Sequence, residues 1–356
     1  MKQALALKQR SDRPLNDKND STIHQIPQDL LYIAFESGET PHQHISGGTK
    51  RWRFLTNDSL QTHPFMSFQE PNPVGLLTAC KLLEENMKPL HLTSKMIDRL
   101  DRTEFTYTMA RMSVIRDALG DLDTSRFVEK ANLRALMAPE VPNPFFNRIL
   151  ISGLTSAEEL AETLGMFESA SVVPTIEVSP GGISQTMSLS LFQKGFAQTE
   201  FRPVFLHQAD CIEAMPPDLE TRIVKSDSDL ESFKDLYLEG WKTPPFLVPM
   251  MRQHISKWVQ LPGWSMYLAL LDDSPVACAI LYCFEDIAYL ADAATPDSMR
   301  GKGGQTALLH ARALAAQQAQ MRYVFSRADF GSVSQRNMER LGLRVSYTRS
   351  AWSKIA

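Results

Sequence analysis

Three glycines and two basic residues lie together at positions 300–305, where the chain reads Arg-Gly-Lys-Gly-Gly-Gln. The segment follows an apolar run of strand length, Ile287–Ala294, and precedes a segment with alanine and leucine at helical spacing. The first backbone N–H groups of a helix have no partner within the helix, and the helix dipole adds positive charge there. Because glycines leave those groups accessible, the segment predicts a site for a phosphate or pyrophosphate.

Two well-known phosphate loops do not fit these residues. The Walker loop requires Gly-x-x-x-x-Gly-Lys-Ser/Thr, which the chain lacks. The dinucleotide pattern Gly-x-Gly-x-x-Gly begins at Gly301, but Thr306 occupies the position of its third glycine. From the residues alone, a glycine-rich turn that binds no ligand is the remaining alternative.

The pattern Arg-x-x-Gly-x-Gly/Ala is the coenzyme A loop of the GNAT superfamily of N-acyltransferases, and positions 300–305 resemble it. Arg300 and Gly303 match the pattern, and Gln305 stands in place of its last small residue. The resemblance implies that backbone N–H groups of this segment bind the pyrophosphate of acyl-coenzyme A. The implied cofactor-binding residues here are Arg300, Gly301, Lys302, Gly303, Gly304, Gln305 and Thr306.

A second segment resembles the next conserved GNAT block, Ser-x-x-Asn-x-x-x-x-Gly-Phe. Ser334, Asn337 and Gly342 match it, and Leu343 stands in place of the aromatic residue. The resemblance implies that the Asn337 amide contacts the pantetheine arm. The alternative for Asn337 is a surface position on a helix.

The elements around these motifs follow the GNAT order β-α-α-β-β-β-α-β-α-β. Ser228 and Glu231 predict a capping box for the first helix, which ends near Gly240. The second helix covers about 248–259, the third follows the loop, and the fourth covers 332–341. The predicted strands are 221–225, 264–271, 276–282, 287–294, 323–327 and 344–349.

The preceding residues resemble a second, degenerate copy of the same unit. Strands are predicted at 148–151, 175–178 and 200–207, with one helix capped by Thr155 and Glu158 and another at 183–194. Residues 152–156, at the position of the cofactor loop, carry one glycine and no basic residue, so this copy is predicted not to bind coenzyme A. The expected fold class is α/β with a mixed sheet, as two GNAT-like domains in tandem plus an N-terminal extension.

The domain boundaries follow from these elements. Residues 1–93 are predicted to form an extension, disordered over about 1–25, with a possible strand at 30–34 and a helix at 74–87. Residues 94–215 form the degenerate copy, and residues 216–356 form the catalytic domain. His42 and His44 could share a strand face, but without a third ligand no metal is predicted.

Composition bears on the partners and the cellular compartment to be expected. The chain has 356 residues, 43% of them apolar, and its net charge of −4 argues against a nucleic-acid partner, which would need a basic face. Apolar runs are too short to span a membrane, and four cysteines without paired spacing fit a reducing cytoplasm. We expect acyl-coenzyme A as co-substrate, an amine as acceptor, no metal, and a monomer or homodimer.

Acyl transfer, the reaction that the resemblance implies, requires a polarised thioester and a proton acceptor. The strand 287–294 is expected to separate from its neighbour near the loop. One of the backbone N–H groups of Ala293, Ala294 and Thr295 is then expected to polarise the thioester oxygen. Asp292 is the predicted proton acceptor, and its alternative is a buried carboxylate bonded to the backbone. The resemblance implies a tyrosine early in the last helix as general acid, and Met338 occupies that position here.

Tyr347 is the predicted substitute for that tyrosine, provided that its hydroxyl turns inward. Trp241 and Phe246 are predicted to line the acceptor pocket, whereas Trp258 and Trp264 fit the core better. Two alternative functions remain open from the sequence. One is an acyl-coenzyme A sensor without activity, and the other is an aminoacyl transferase, a tandem GNAT class that tends to lose the loop present here.

Overall fold

The computed structural model describes residues 91–355 except 142, together with the backbone of strands β1 (Leu30–Glu36) and β2 (Arg51–Thr56). These two strands pair antiparallel in a compact unit, Met1–Lys88, and Pro89–Ala356 forms a second unit. The strand predicted at 30–34 coincides with β1. The predictions of a helix at 74–87, of disorder over 1–25 and of no metal at the two histidines lie outside the described residues.

The first copy begins with a long helix and continues with alternating strands and helices. Its elements are α1 (Ser94–Leu119), β3 (Arg126–Glu129), β4 (Leu133–Met137), β5 (Arg148–Ile151), α2 (Ala157–Ser169), β6 (Thr175–Val178), α3 (Gln185–Gln193) and β7 (Phe196–Gln208).

The second copy has the predicted order β-α-α-β-β-β-α-β-α-β. Its elements are β8 (Glu220–Ile223), α4 (Asp227–Gly240), α5 (Val248–Trp258), β9 (Trp264–Leu271), β10 (Ser274–Phe284), β11 (Ile287–Ala294), α6 (Gly304–Gln318), β12 (Tyr323–Arg327), α7 (Val333–Arg340) and β13 (Arg344–Lys354).

Eleven strands of the described residues form one sheet in the order β3-β4-β5-β6-β13-β7-β12-β11-β10-β9-β8. The last strand of each copy pairs with the other copy: β13 runs antiparallel to β6, and β7 runs antiparallel to β12. At the centre, β7 and β13 pair antiparallel, with Arg202 opposite Arg349. Each copy therefore obtains a neighbouring strand from the other, and the two copies share a continuous sheet.

Helix α1, the first element of the first copy, contributes residues to the cores of both copies. Phe105, Met112 and Ile115 lie in a core with residues of β4 and β5, whereas Leu100 and Tyr107 lie in the core formed by α4, α5 and the second-copy strands. Helices α6 and α7 contribute to a separate core on the second copy. Across the described ranges, no helix is long and apolar enough to cross a membrane.

Both predicted capping boxes are wrong, because the cap lies one residue later than predicted at α2 and two residues earlier at α4. Ser156, with Glu159, caps α2, while the Thr155 hydroxyl donates to the Gly153 carbonyl. An N-cap residue needs an extended backbone and a side chain that reaches the N–H three residues on, and Ser156 at φ −72° and ψ 155° meets this condition.

At α4 the cap lies earlier than predicted. Ser226, at φ −96° and ψ 158°, forms the box with Asp229, and Ser228 already lies inside the helix. Closely spaced serines and acidic residues fit the capping pattern in more than one register, so the sequence could not choose between them.

Candidate functional site

The loop before α6 leaves the start of that helix open. Gly301 and Gly303 adopt left-handed conformations, at φ +77° and +83°, which glycine reaches without steric cost. Gly303 is the N-cap residue, and among the described residues no side chain caps the helix. A Cβ at Gly304 would lie 2.8 Å from the Cβ of Ala277, so glycine allows α6 to begin directly against β10. The exposed loop thus presents free N–H groups at a helix N-terminus.

Basic side chains surround the loop. Arg300 forms an ion pair with Asp297 at 2.8 Å, and Lys242 pairs with the same carboxylate at 2.9 Å. The Lys242 hydrogen bond and the Arg300 charge lower the pKa of Asp297. Lys302 is exposed, with Nζ 3.3 Å from the Met299 sulfur. Exposed pairs of this kind are weak, so both predicted cations can turn toward a bound anion.

Three residues predicted for cofactor binding meet between α6 and α7. The Gln305 side-chain nitrogen donates to the Ser334 hydroxyl at 2.8 Å. The Asn337 side-chain nitrogen donates to the Gln305 side-chain oxygen, also at 2.8 Å. Arg340 donates to the other side of the Asn337 amide at 2.9 Å. Asn337 is therefore oriented by side chains on both helices and lies beside the loop.

Strand β11 has a bulge in its pairing with β10, and it separates from β12 along its carboxyl half. Ala291 pairs with Ile280 and Ala294 with Cys278, so Asp292 and Ala293 together face a single residue of β10. Pairing with β12 ends at Tyr289, so the carboxyl half of β11 is not bonded to β12 through its backbone, as predicted. The N–H groups of residues 293–295 thus lie where β11 and β12 have separated.

Asp292 lies at the bulge with a positive φ of 39°. Among the described residues, three side chains donate to its Oδ2 atom: the Tyr107 hydroxyl at 2.8 Å, Arg111 Nη1 at 2.8 Å and the Tyr237 hydroxyl at 3.1 Å. Burial, with the Asp292 charge, raises the pKa of Tyr107. Burial alone would lower the pKa of Arg111, but Tyr237 and Asp292 raise it. Burial also raises the pKa of Tyr237, so both tyrosines are neutral donors, and the arginine is a permanent cation.

The Tyr347 hydroxyl does turn inward, but it donates to Asp101 of α1 at 3.0 Å. Arg349 donates to the same carboxylate oxygen at 2.6 Å. Burial, followed by the Asp101 charge, raises the pKa of Tyr347. The hydroxyl is thus engaged inside a buried cluster of charged residues.

That cluster joins the two copies at the centre of the sheet. Against their burial, the surrounding arginines lower the pKa of Glu104 and bring that of Glu177 to about 2. Arg148 and Arg349 donate to Glu104 at 2.7 and 2.6 Å. We call this the central ion cluster: Asp101, Glu104, Glu177, Arg148, Arg327 and Arg349.

Both residues predicted for the acceptor pocket are exposed. Trp241, directly after α4, is 54% exposed, and Phe246, in the 3₁₀ helix Pro245–Leu247, is 80% exposed. A Cβ at Gly240 would lie 2.9 Å from the Cβ of Ala294, so the end of α4 packs on the bulged strand. Trp258 and Trp264 are buried in the core, as preferred from the sequence, and so is Met338.

Sequence reasoning missed the residues that contact Asp292. Tyr107 and Arg111 are one turn apart on α1, and Tyr237 is on α4. Their spacing could place the first two on one helix face. No local pattern, however, indicates that a helix of the first copy packs on a strand of the second. In the described part of the chain, no group of His, Cys, Asp and Glu is suited to hold a metal ion.

No protein-family model matches the chain, and no curated protein matches it. Among solved structures, it is similar to a GCN5-related N-acetyltransferase from Kribbella flavida, with 16% identity and a TM-score of 0.49, over 70% of this chain and 95% of that one. It is also similar to a functionally unknown conserved protein from Staphylococcus epidermidis, with 14% identity and a TM-score of 0.49, over 65% and 95%. A tandem GNAT protein from the clavulanic acid biosynthesis pathway matches with 13% identity and a TM-score of 0.43, over 62% and 77%.

The fold assignment rests on this chain's own strand order and connections. The second copy has the complete predicted order, with a bulged strand that separates from its parallel neighbour before the glycine loop. The first copy repeats the later part of that order and joins the same sheet. The chain therefore has a mixed α/β, tandem GNAT fold, as the sequence predicted.

Proposed function

We propose that the second copy transfers an acyl group from acyl-coenzyme A to a primary amine. The observation that carries this proposal is the uncapped start of α6, with its two left-handed glycines, beside the separated end of β11. A helix N-terminus with free N–H groups favours a pyrophosphate, and separated strands offer free backbone groups to an extended pantetheine arm.

The cofactor-binding residues predicted from the sequence are proposed here for the same roles. The N–H groups of residues 302–306 bind the pyrophosphate, with Arg300 and Lys302 adding charge at the rim. Gln305, Ser334 and Asn337 lie beside the pantetheine path. An N–H within Ala293, Ala294 and Thr295 donates to the thioester oxygen.

In the reaction, the amine nitrogen attacks the thioester carbonyl carbon. A C–N bond forms, the C–S bond breaks, and coenzyme A leaves as a thiolate that takes a proton from water. The amine proton passes to a carboxylate or to solvent. Trp241 provides apolar surface at the end of α4, which packs on the end of β11, and the exposed Phe246 is proposed to line the acceptor pocket with it.

The two predicted catalytic side chains have surroundings that support different roles. Oδ2 of Asp292 already accepts from a guanidinium and two tyrosines, which leaves only Oδ1 for proton transfer and favours a positioning role. The bond from Tyr347 to Asp101 favours a structural role over proton donation to the thiolate. The thiolate can leave unprotonated, because its basicity is modest.

Two measurements on the full chain test the proposal. Calorimetric titration with coenzyme A and acetyl-coenzyme A is expected to give binding at one site. Incubation with acetyl-coenzyme A, a panel of primary amines and a thiol probe is expected to release coenzyme A with at least one amine. The absence of coenzyme A binding would reject the proposal.

A second candidate function is an acyl-coenzyme A sensor. The engagement of Tyr347 with Asp101, together with buried Met338 at the usual tyrosine position, favours it. The same incubation separates the two functions, because a sensor binds acetyl-coenzyme A but releases no thiol with any amine.

A further inference from the structure

Helix α1 belongs to the first copy but lies against the candidate site of the second. The Tyr107 ring stacks on Trp264 of β9 with ring centres 4.4 Å apart, and it meets Tyr289 of β11 edge-on at 5.4 Å. These contacts fix the ring, so its hydroxyl points at Asp292. A degenerate copy thus supplies side chains to the copy that retains the cofactor loop.

Residues of both copies fix the guanidinium of Arg111. It lies 5.2 Å from the ring centre of Phe145 in the first copy, and 4.9 Å from that of Trp258 in the second. Its Nε atom is buried without a hydrogen-bond partner in the described part of the chain. Such an unpaired buried donor is costly, and the ring contacts and the bond from Nη1 to Asp292 at 2.8 Å offset that cost.

The backbone of Asp292 needs this support. A φ of +39° is unfavourable for a residue with a Cβ, and such conformations persist where the surroundings over-determine them. Here three donors from two copies hold a single carboxylate oxygen. On the other side, the end of α4 packs on Ala294, with a Gly240 Cβ position 3.1 Å from the Thr295 nitrogen. The direction of the N–H groups of residues 293–295 is set between these two contacts.

We propose that Tyr107 and Arg111 of the first copy are positioning residues for acyl transfer in the second. They hold the Asp292 carboxylate, and through it the bulge whose N–H groups polarise the thioester. This inference rests on the proposed function. It also gives the first copy a role that needs no cofactor loop: it completes the site of its partner copy.

The experiment observes the thioester carbonyl directly. The full chain is saturated with acetyl-coenzyme A labelled with ¹³C at the carbonyl, and the carbonyl resonance is recorded by NMR. Hydrogen bonds to the oxygen move this resonance downfield from its free value. The variants are Tyr107→Phe, which keeps the stacked ring, Arg111→Met and Arg111→Lys. The control is Arg116→Met, since Arg116 is exposed on the same helix and pairs only with Asp123 among the described residues.

In Tyr107→Phe and Arg111→Met, the resonance is expected to return toward the free value while calorimetry with coenzyme A gives unchanged affinity. Acyl transfer falls about 10-fold or more, in line with a weakened oxyanion donor. Arg111→Lys keeps the charge and recovers part of the shift, and Arg116→Met behaves as wild type. If Arg111→Met does not fold, as judged by thermal unfolding, the other two variants decide.

Two results would overturn the inference, and they are distinguishable. If wild type binds coenzyme A and the carbonyl resonance is the same in wild type, Tyr107→Phe and both Arg111 variants, the positioning role is wrong and the proposed function stands. If wild type does not bind coenzyme A, the proposed function fails, and the inference fails with it.

Discussion

The two copies begin their equivalent helices in opposite ways. At α2, Ser156 accepts from the Glu159 N–H at 3.1 Å, Glu159 accepts from the Ser156 N–H at 3.3 Å, and Glu158 adds further negative charge. At α6, the cap is Gly303, and the first turn contains no acidic residue. The first helix start is satisfied by its own side chains and repels an anion. In the described part of the chain, the second helix start has no side-chain cap for the same N–H groups.

The strands before these helices differ in the same sense. All four residues of β5 pair with β6, and the Ser179 N–H extends the pairing to the Ile151 carbonyl at 2.8 Å. A Cβ at Gly153 would lie 2.8 Å from the Asn132 side-chain oxygen, so a side chain already fills that corner. The comparison teaches that the first copy satisfies, with its own side chains and strand pairing, the backbone groups that the second copy leaves open, without a change of topology.

The largest expected effect is on the contact between the copies. Glu104→Ala removes a carboxylate that faces three buried or half-buried arginines, and we expect the free energy of unfolding to fall by about 3–5 kcal/mol. Chemical denaturation measures this change. The control Glu162→Ala removes an exposed partner of Lys130 and is expected to cost less than about 1 kcal/mol. Equal effects of the two substitutions would mean that the central ion cluster does not couple the copies.

Gly303→Glu places a carboxylate at the open helix start. We expect at least a 100-fold loss of coenzyme A affinity by calorimetry, about 2.8 kcal/mol, because the carboxylate opposes the pyrophosphate. The matched control is Gly181→Glu, since Gly181 has nearly the same φ, +84°, in the first copy. The control carries the same backbone strain and should bind coenzyme A as wild type. Unchanged affinity of Gly303→Glu would contradict the assignment of the loop.

Ser156→Ala opens the closed helix start of the first copy. Loss of the cap should reduce the free energy of unfolding by about 1 kcal/mol, measured by denaturation. It should create no second coenzyme A site, because Asn132 still covers the corner and Glu158 and Glu159 remain. Two binding sites by calorimetry would show that capping alone had closed this copy.

The smallest effect is expected at the rim of the open site. Lys302→Ala removes an exposed cation and should weaken coenzyme A binding by about 0.2–1 kcal/mol at low salt. The difference from wild type should shrink as salt is added, because exposed charges are screened. A difference that persists at high salt would indicate a direct, buried contact instead.

The sequence predicted the elements of the site better than their partners. Strands β9, β11 and β12 begin and end where their apolar runs do, and the glycines of the loop mark the start of α6. These features are local: they depend on alternation, strand length and turn residues. The predicted strands at 200–207 and 344–349 are shorter than β7 and β13, because the two strands stabilise each other across copies.

The support of Asp292 could not be predicted in the same way. The residue lies on a strand identified from sequence, but its donors come from α1 and α4. A helix pattern gives the spacing of Tyr107 and Arg111, and it does not give the strand that they face. The bulge itself has no signal in the sequence, since a positive φ at an aspartate follows from tertiary contacts.

The exchange of final strands has a consequence for how such a chain could arise. Without the strand exchange, a lone unit would leave an unpaired edge at its next-to-last strand, β6 or β12, and exposed edges invite pairing with another molecule. Two identical units would cover each other's exposed edges if their last strands paired as β7 and β13 do. The two-fold axis would then pass near the facing residues Arg202 and Arg349. A symmetric, strand-swapped homodimer of single units would therefore have the same strand pairing as the two copies have here. Gene duplication and fusion through residues 209–219 would have made that dimer covalent, freeing one half to diverge.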